Sequence, residues 1–258
     1  MDSGIGLLAA TDAVRRLRPD ADLVLSLDPE GMPWGPRTPE DLTERAVAVA
    51  EAAVAREPDV LIVGCNTATV HALPTLRARF EPRIPVIGTV PAIKPAAAGG
   101  GHVAIWATPA TTGSAYQRNL IRDFASGVRV TEVPCHGLAD AVEHADETAI
   151  AGAVAAAADL TPDDVTTVVL GCTHYELVAE RIRAAVQRPG RPPLALHGSA
   201  SAVAAQALRR IGSAPAPDAG PLGSVTVLLN GREAALPAAA VTYPEGSRLA
   251  AAGTASQT

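Results

Sequence analysis

Val60-Leu61-Ile62-Val63-Gly64-Cys65-Asn66-Thr67-Ala68-Thr69 has a close echo in Val168-Val169-Leu170-Gly171-Cys172-Thr173-His174-Tyr175. Each is a short apolar run rich in β-branched residues, then Gly, then Cys, then small polar residues. Runs of this type predict strands buried on both faces, as in a parallel sheet. The glycine marks a turn or a close backbone approach at the strand end. Helical sequence follows both, Val70–Leu73 in one case and Glu176–Glu180 in the other. Each cysteine is therefore expected where a strand ends and a helix begins, the edge at which open α/β sheets bind ligands. A thiol there feels the positive end of the helix dipole, which favours the reactive thiolate. The plainer reading is that a free cysteine is a small buried hydrophobe.

Working outward, short apolar runs alternate with helical stretches along the whole chain, so the class is α/β with mostly parallel sheets. Ser3 or Asp2 is expected to cap a helix from Leu7 to Leu17. Thr38-Pro39-Glu40-Asp41 carries a cap, a first-turn proline and first-turn acids, and predicts a helix to about Arg56. Trp34 lies in a Pro/Gly-punctuated loop, either plugging the surface or lining a pocket. Val90–Pro95 reads as a stiff crossing, and Gly99-Gly100-Gly101 as a helix terminator. The hydroxyl-rich stretch 107–114 follows a strand and opens a helix. Cys135 lacks the strand-Gly-Cys context and reads as structural. Glu143 reads as a solvated charge unless a pocket claims it. Val225–Asn230 is the last expected strand, and the chain is expected to taper off in disorder over Gly253–Thr258.

With 258 residues the chain can form one large domain or two modest ones. The net charge of −6 gives no basic surplus for nucleic acid. Three cysteines without metal-ligand spacing suit a reducing compartment and suggest neither a disulfide framework nor a metal site. No membrane-span run or leader peptide is evident, so a cytoplasmic protein is expected. No nucleotide-binding fingerprint stands in the right context, so no cofactor is expected. Local signatures show no Cys-His-Asp set for nucleophilic catalysis. Two thiols on opposite sides of one carbon can instead act as base and acid, inverting a stereocentre.

In order along the chain stand DSGIG (Asp2–Gly6), PWG (Pro33–Gly35), GCNTAT (Gly64–Thr69), PVIGTVPAIKPA (Pro85–Ala96), ATPATTGSAY (Ala107–Tyr116), CHGLADAVE (Cys135–Glu143) and GCTHYELV (Gly171–Val178). By these motifs the sequence resembles the cofactor-independent aspartate/glutamate racemase family, closest to its glutamate-specific members. The resemblance implies two flavodoxin-like lobes, 1–92 plus 209–258 and 93–208, with the site in the cleft between them. It implies Cys65 and Cys172 as the two acid/bases, Asp2 assisting the first and His174 the second. Ser3, Trp34, Gly35, Asn66, Thr67 and Thr173 would bind the amino acid, with Thr108, Thr111 and Glu143 as further candidates. It also implies glutamate as substrate, D-glutamate for peptidoglycan as product, and a homodimer. Alternatives are an aspartate or hydantoin racemase, an N-terminally truncated relative that binds without turnover, or, of lower rank, a thiol hydrolase. Two departures stand out. Trp34 replaces the family's usual Tyr, so the hydroxyl is lost. Family members carry a first strand ahead of DSG, whereas only Met1 precedes Asp2, so one sheet is expected to lack a strand.

Overall fold

The computed structural model describes residues 1–220 and 222–255. Among them the strands are, in chain order, β1 (Leu23–Leu27), β2 (Leu61–Val63), β3 (Val86–Gly88), β4 (His102–Ala107), β5 (Arg129–Pro134), β6 (Val165–Leu170), β7 (Ala195–His197), β8 (Val225–Leu229) and β9 (Arg232–Glu233). The chain divides into two units, Met1–Thr89 with Ala200–Thr258, and Val90–Ser199. All the ladders are parallel except β8–β9, in keeping with the α/β reading.

In the first unit, β1 pairs with β8 from Leu23 opposite Val225 to Leu27 opposite Leu229. β2 and β3 form a separate pair, Leu61 opposite Val86 to Val63 opposite Gly88. Among the described residues Met1 and Asp2 bridge the two sheets. The Met1 ammonium donates to the Ile62 carbonyl at 2.8 Å, the Gly64 N–H donates to the Met1 carbonyl at 2.8 Å, and the Asp2 N–H donates to the Ser26 carbonyl at 3.1 Å. Among the described residues β1-β8-β9 and β2-β3 are thus separate sheets with Met1 and Asp2 lying between them.

The expected cap at Asp2 or Ser3 is not formed. A 3₁₀ turn, Ile5–Leu7, precedes the helix Leu8–Leu17, and Gly4 stands at the cap position without a side-chain bond. Asp2 is still paired as strand, and its Oδ1 accepts the Ser3 N–H at 2.6 Å instead. The next helix, Pro39–Val54, starts as its sequence dictates, with Thr38 Oγ1 accepting the Asp41 N–H. Its buried Leu42, Ala46, Val49, Ala50 and Ala53 form one apolar stripe at helical spacing.

The C-terminal expectations need correction. Asn230 and Gly231 both have positive φ, 49° and 77°, and turn the chain back into β9. This is the two-residue Asn-Gly hairpin, favoured because both central residues tolerate left-handed backbone. Helices Ala238–Val241 and Pro244–Ala255 follow, so 253–255 are helical, while 256–258 of the expected taper lie outside the described residues. Buried Ala240, Tyr243 and Leu249 anchor this segment, and Arg248 donates to the buried Asp12 carboxylate at 2.8 and 2.9 Å.

The second unit is one parallel sheet in the order β5-β4-β6-β7. Every residue of the central β4 is buried, as a strand covered on both faces requires. Trp106 in this strand donates its indole N–H to Thr161 Oγ1 at 3.0 Å. The crossing expected over Val90–Pro95 is partly a helix, Ile93–Ala98. Pro95 is tolerated because first-turn amides have no intrahelical acceptor. Gly99 caps that helix, and Gly100 and Gly101 continue at φ 70° and 78°, ending it as expected.

Candidate functional site

Both motif cysteines stand at strand-to-helix junctions. In the first unit Cys65 is extended (φ −118°, ψ 124°) and occupies the cap position of helix Asn66–His71. The glycine before it is tightly enclosed: a Cβ on Gly64 would lie 3.2 Å from Leu7 Cβ and 3.4 Å from the Met1 carbonyl oxygen. Two hydroxyls brace the junction. Thr69 Oγ1 donates to the Cys65 carbonyl at 2.9 Å and accepts the Thr89 N–H at 2.9 Å. Thr89 Oγ1 donates to the Val63 carbonyl at 2.7 Å. Cys65 and Asn66 are buried and Thr67 is half-buried.

Asp2 and Ser3 are both buried, and Asp2 bridges Leu27 at the end of β1. The Ser3 carbonyl accepts the Asp28 N–H at 3.2 Å, which ties this end to the loop after β1. The Asp28 carboxylate accepts the Gly31 N–H at 3.0 Å and the Trp34 indole N–H at 2.9 Å, and pairs with Arg45 at 3.3 Å. Trp34 is only 1% exposed. Its ring is packed beneath the loop and its polar atom is committed to Asp28. What the 33–35 segment can present to a ligand is therefore backbone, together with half-buried Gly35. Sequence reasoning missed Asp28. It directly follows β1, at the carboxyl edge where site residues gather in parallel sheets, and that position was the available signal.

In the second unit Cys172 is likewise extended (φ −137°, ψ 137°) and caps helix Thr173–Glu176. Gly171 before it is obligatory, because a Cβ there would come within 2.7 Å of the Trp106 carbonyl oxygen. Cys172 is half-exposed, and Thr173 and His174 are buried. Cys172 Sγ lies 3.8 Å from His174 Nδ1, and His174 Nε2 lies 2.8 Å from Glu143 Oε2. The His174 and Glu143 side chains are 5% and 11% exposed. A Cys–His–carboxylate string is therefore present, although the sequence showed no local signature of one. Glu143 is not the solvated charge expected by default, because His174 claims it. The string can move a proton on or off the sulfur, with the carboxylate fixing the orientation of the ring.

Nearby groups divide by burial. Thr108 and Thr111 hold their hydroxyls 3.2 Å apart just past β4. Cys135 is buried, and its thiol is pushed from 9.0 up to about 12, mainly by burial and further by the charge of Cys172. Tyr175 is also pushed up by burial, and its hydroxyl donates to the Cys135 carbonyl at 3.4 Å. Cys135 is thus a packing residue, as its sequence context suggested. Among the described residues no three His, Cys, Asp or Glu side chains gather as a metal site. No helix there is long and apolar enough to cross a membrane.

The two junctions belong to a recognisable pattern. The family model described as Asp/Glu/Hydantoin racemase matches residues 8–207. The glutamate racemase of Roseiflexus sp. (strain RS-1) is 40% identical over 191 residues, covering 71% of this chain and 69% of that protein. That of Ectopseudomonas mendocina (strain ymp) is 35% identical over 223 residues, covering 82% and 80%. The crystal structure of Escherichia coli glutamate racemase, in complex with L-glutamate and the activator UDP-MurNAc-Ala, aligns with a TM-score of 0.77 at 30% identity, covering 93% of this chain and 89% of that one.

Proposed function

The chain belongs to the Asp/Glu/hydantoin racemase family and is an amino-acid racemase, and from that premise we propose that it interconverts L- and D-glutamate by proton exchange between Cα and two thiols. The observation that carries the reading is the repeated junction: a cysteine at the cap position after a glycine-ended parallel strand, once in each unit, with the second copy backed by His174 and Glu143. The substrate is taken from the relatives, two of which are glutamate racemases at 40% and 35% identity.

In the proposed reaction one sulfur, as thiolate, takes the Cα proton. The other, as thiol, gives a proton to the opposite face. The electron pair left on Cα by the first step forms the new C–H bond in the second, so nothing is oxidised or reduced. Running the roles in reverse returns the other enantiomer, which is general acid–base catalysis with interchangeable partners. His174, oriented by Glu143, serves Cys172, and Asp2 serves Cys65. Ser3, the backbone of Trp34 and Gly35, Asn66, Thr67 and Thr173 hold the amino acid. Amide N–H groups after each cysteine meet the charge that develops on the α-carboxylate. The chemistry asks for no cofactor. The product, D-glutamate, is a building block for peptidoglycan, and a homodimer is the assembly proposed.

The test is turnover of each enantiomer in D₂O. With two bases, the product carries solvent deuterium while recovered substrate at early times retains its proton. Deuterium entering recovered substrate as fast as product forms would mean one shared base and would overturn the proposal. So would full activity in either Cys65→Ser or Cys172→Ser. Equal or faster turnover of aspartate would move the substrate assignment within the family.

A further inference from the structure

Strand β7 is followed by Gly198-Ser199, as β6 is followed by Gly171-Cys172. The two strands are parallel neighbours, from Thr167 opposite Ala195 to Val169 opposite His197, so both endings lie at one carboxyl edge of the sheet. Ser199 is the last residue of the second unit, and helix Ala200–Arg210 belongs to the first. The chain therefore leaves the second unit from the strand next to the one that carries Cys172. Ser199 is 3% exposed, and one carboxylate oxygen meets it twice. Glu176 Oε1 accepts the Ser199 N–H at 2.7 Å and the Ser199 hydroxyl at 2.8 Å. A charged acceptor makes such bonds stronger than neutral ones. Gly198 leaves room for them, because a Cβ there would lie 2.3 Å from Glu176 Oε2 and 2.6 Å from Glu176 Cδ. The Glu176 carboxylate thus fills the place that a side chain at 198 would take. The first unit holds a serine in the same manner: Asp2 Oδ1 accepts the N–H of Ser3 at 2.6 Å and its hydroxyl at 3.2 Å.

Helix Thr173–Glu176 has four residues, too few to hold its own shape without tertiary contacts. Successive side chains on a helix point about 100° apart. Three of them tie this helix to three different segments: His174 to Glu143, Tyr175 to the Cys135 carbonyl, and Glu176 to Ser199. We propose that Glu176 is a positioning residue for the reaction. By gripping Ser199 it holds the helix that Cys172 caps, and with it the sulfur and His174, against the end of β7. Glu176 exchanges no proton with the substrate, and its effect passes through the place of the sulfur. The proposal rests on the reading of Cys172 as one of two acid/base thiols.

Four variants of the full chain test this: Glu176→Ala, Glu176→Gln, Gly198→Asp, and Glu176→Ala combined with Gly198→Asp. Glutamate turnover is measured in each, together with hydrogen exchange at the Ser199, Tyr175 and Leu177 amides. The Tyr175 and Leu177 amides donate to the Cys172 and His174 carbonyls at 3.0 and 3.1 Å, and so report on the helix itself. Glu176→Ala is expected to speed exchange at all three amides by at least about tenfold. It is expected to lower kcat by at least about tenfold with KM kept within about threefold. Glu176→Gln keeps an oxygen for both bonds and is expected to stay within about threefold of the native kcat. Gly198→Asp alone drives two carboxylates into one space and is expected to lose as much as Glu176→Ala. In the combined variant the new carboxylate can meet Ser199 as Asp2 meets Ser3, and kcat is expected to return to within about threefold of native. Faster exchange at Ser199 alone, with Tyr175, Leu177 and kcat unchanged, makes the contact merely structural and overturns the proposal. Losses that simply add in the combined variant also overturn it. A native protein that racemises neither enantiomer would sink the functional reading instead, and exchange at Tyr175 and Leu177 would still decide whether Glu176 holds the helix.

Discussion

Replacing Glu143 by Gln keeps the side chain's size and removes its charge. His174 Nε2 lies 2.8 Å from Glu143 Oε2, and His174 Nδ1 lies 3.8 Å from the Cys172 sulfur. Both side chains are largely shielded, at 5% and 11% exposure, so water does not screen the pair as it does on an open surface. A hydrogen bond to a charged group is worth about 1.5–3 kcal/mol. Losing that much stabilisation of the proton transfer at Cys172 lowers kcat/KM about 10- to 150-fold. The loss must be equal in both directions, because mirror-image amino acids have equal free energy and the two kcat/KM values cannot diverge. The asymmetry shows in isotope effects instead. One enantiomer loses its Cα proton to Cys172, the step that is now slow, and its Cα-deuterated form shows the full primary effect. Its mirror image loses the proton to Cys65 before the slow step, and its effect shrinks. Circular dichroism progress curves with protiated and Cα-deuterated L- and D-glutamate read both quantities. A fall of less than about threefold, or isotope effects that stay equal for the two enantiomers, refutes the assignment of Glu143 and His174 to Cys172.

Other outcomes follow from the same geometry. Trp34→Phe removes the indole donor to buried Asp28 and is expected to cost about 1–3 kcal/mol in urea unfolding, with KM raised more than kcat is lowered; unchanged stability would show that the 2.9 Å bond contributes nothing. The Cys135 thiol, pushed up to about 12, is almost wholly protonated at neutral pH. Iodoacetamide is therefore expected to label half-exposed Cys172 far ahead of Cys135, as peptide mass spectrometry will show. The Met1 ammonium has its pKa lowered from 8.0 to about 6, so between those values the unfolded chain holds a proton that the folded chain has shed. Stability is then expected to fall as pH drops through that window, by up to about 3 kcal/mol, and N-terminal acetylation is expected to abolish the slope. Gly171→Ala drives a methyl group to within 2.7 Å of the Trp106 carbonyl oxygen and is expected to displace Cys172 and remove most activity, read against the thermal midpoint.

How far the sequence alone could be read depended on the distance over which each signal acts. Thr38-Pro39 sets its own helix start through neighbouring atoms, and the Thr38 cap formed as expected. The parallel α/β class follows from apolar runs that need no knowledge of their partners. His174 and Glu143 lie 31 positions apart, and only folding makes them neighbours. On its short helix Glu143 looks like any surface acid. Asp28 was passed over because its partners Gly31 and Trp34 are placed by a loop whose path no local pattern specifies, and Arg45 by the helix after it. The C-terminal misreading differs in kind. Asn230-Gly231 is a strong hairpin signal in its own right, but the Ala- and Pro-rich sequence after it hid the buried Tyr243 and Leu249 anchors.

The two cysteines draw these scales together. Both are placed by backbone: a short parallel strand, then a glycine whose missing side chain admits Leu7 and Met1 in one unit and the Trp106 carbonyl in the other. That part is local, which is why the motif could be read twice from sequence. What differs is the company each sulfur keeps. Cys172 has a histidine and a carboxylate drawn from another helix, whereas Cys65 directly follows Gly64, whose N–H bonds to Met1. The glycines therefore govern where each sulfur stands, and in the proposed reaction the accessory groups govern how readily it gives and takes a proton. Substitutions at Gly64 and Gly171 should slow the proton transfer of the sulfur they displace. Substitutions at Asp2 and Glu143 should slow the same transfers while leaving each sulfur in place.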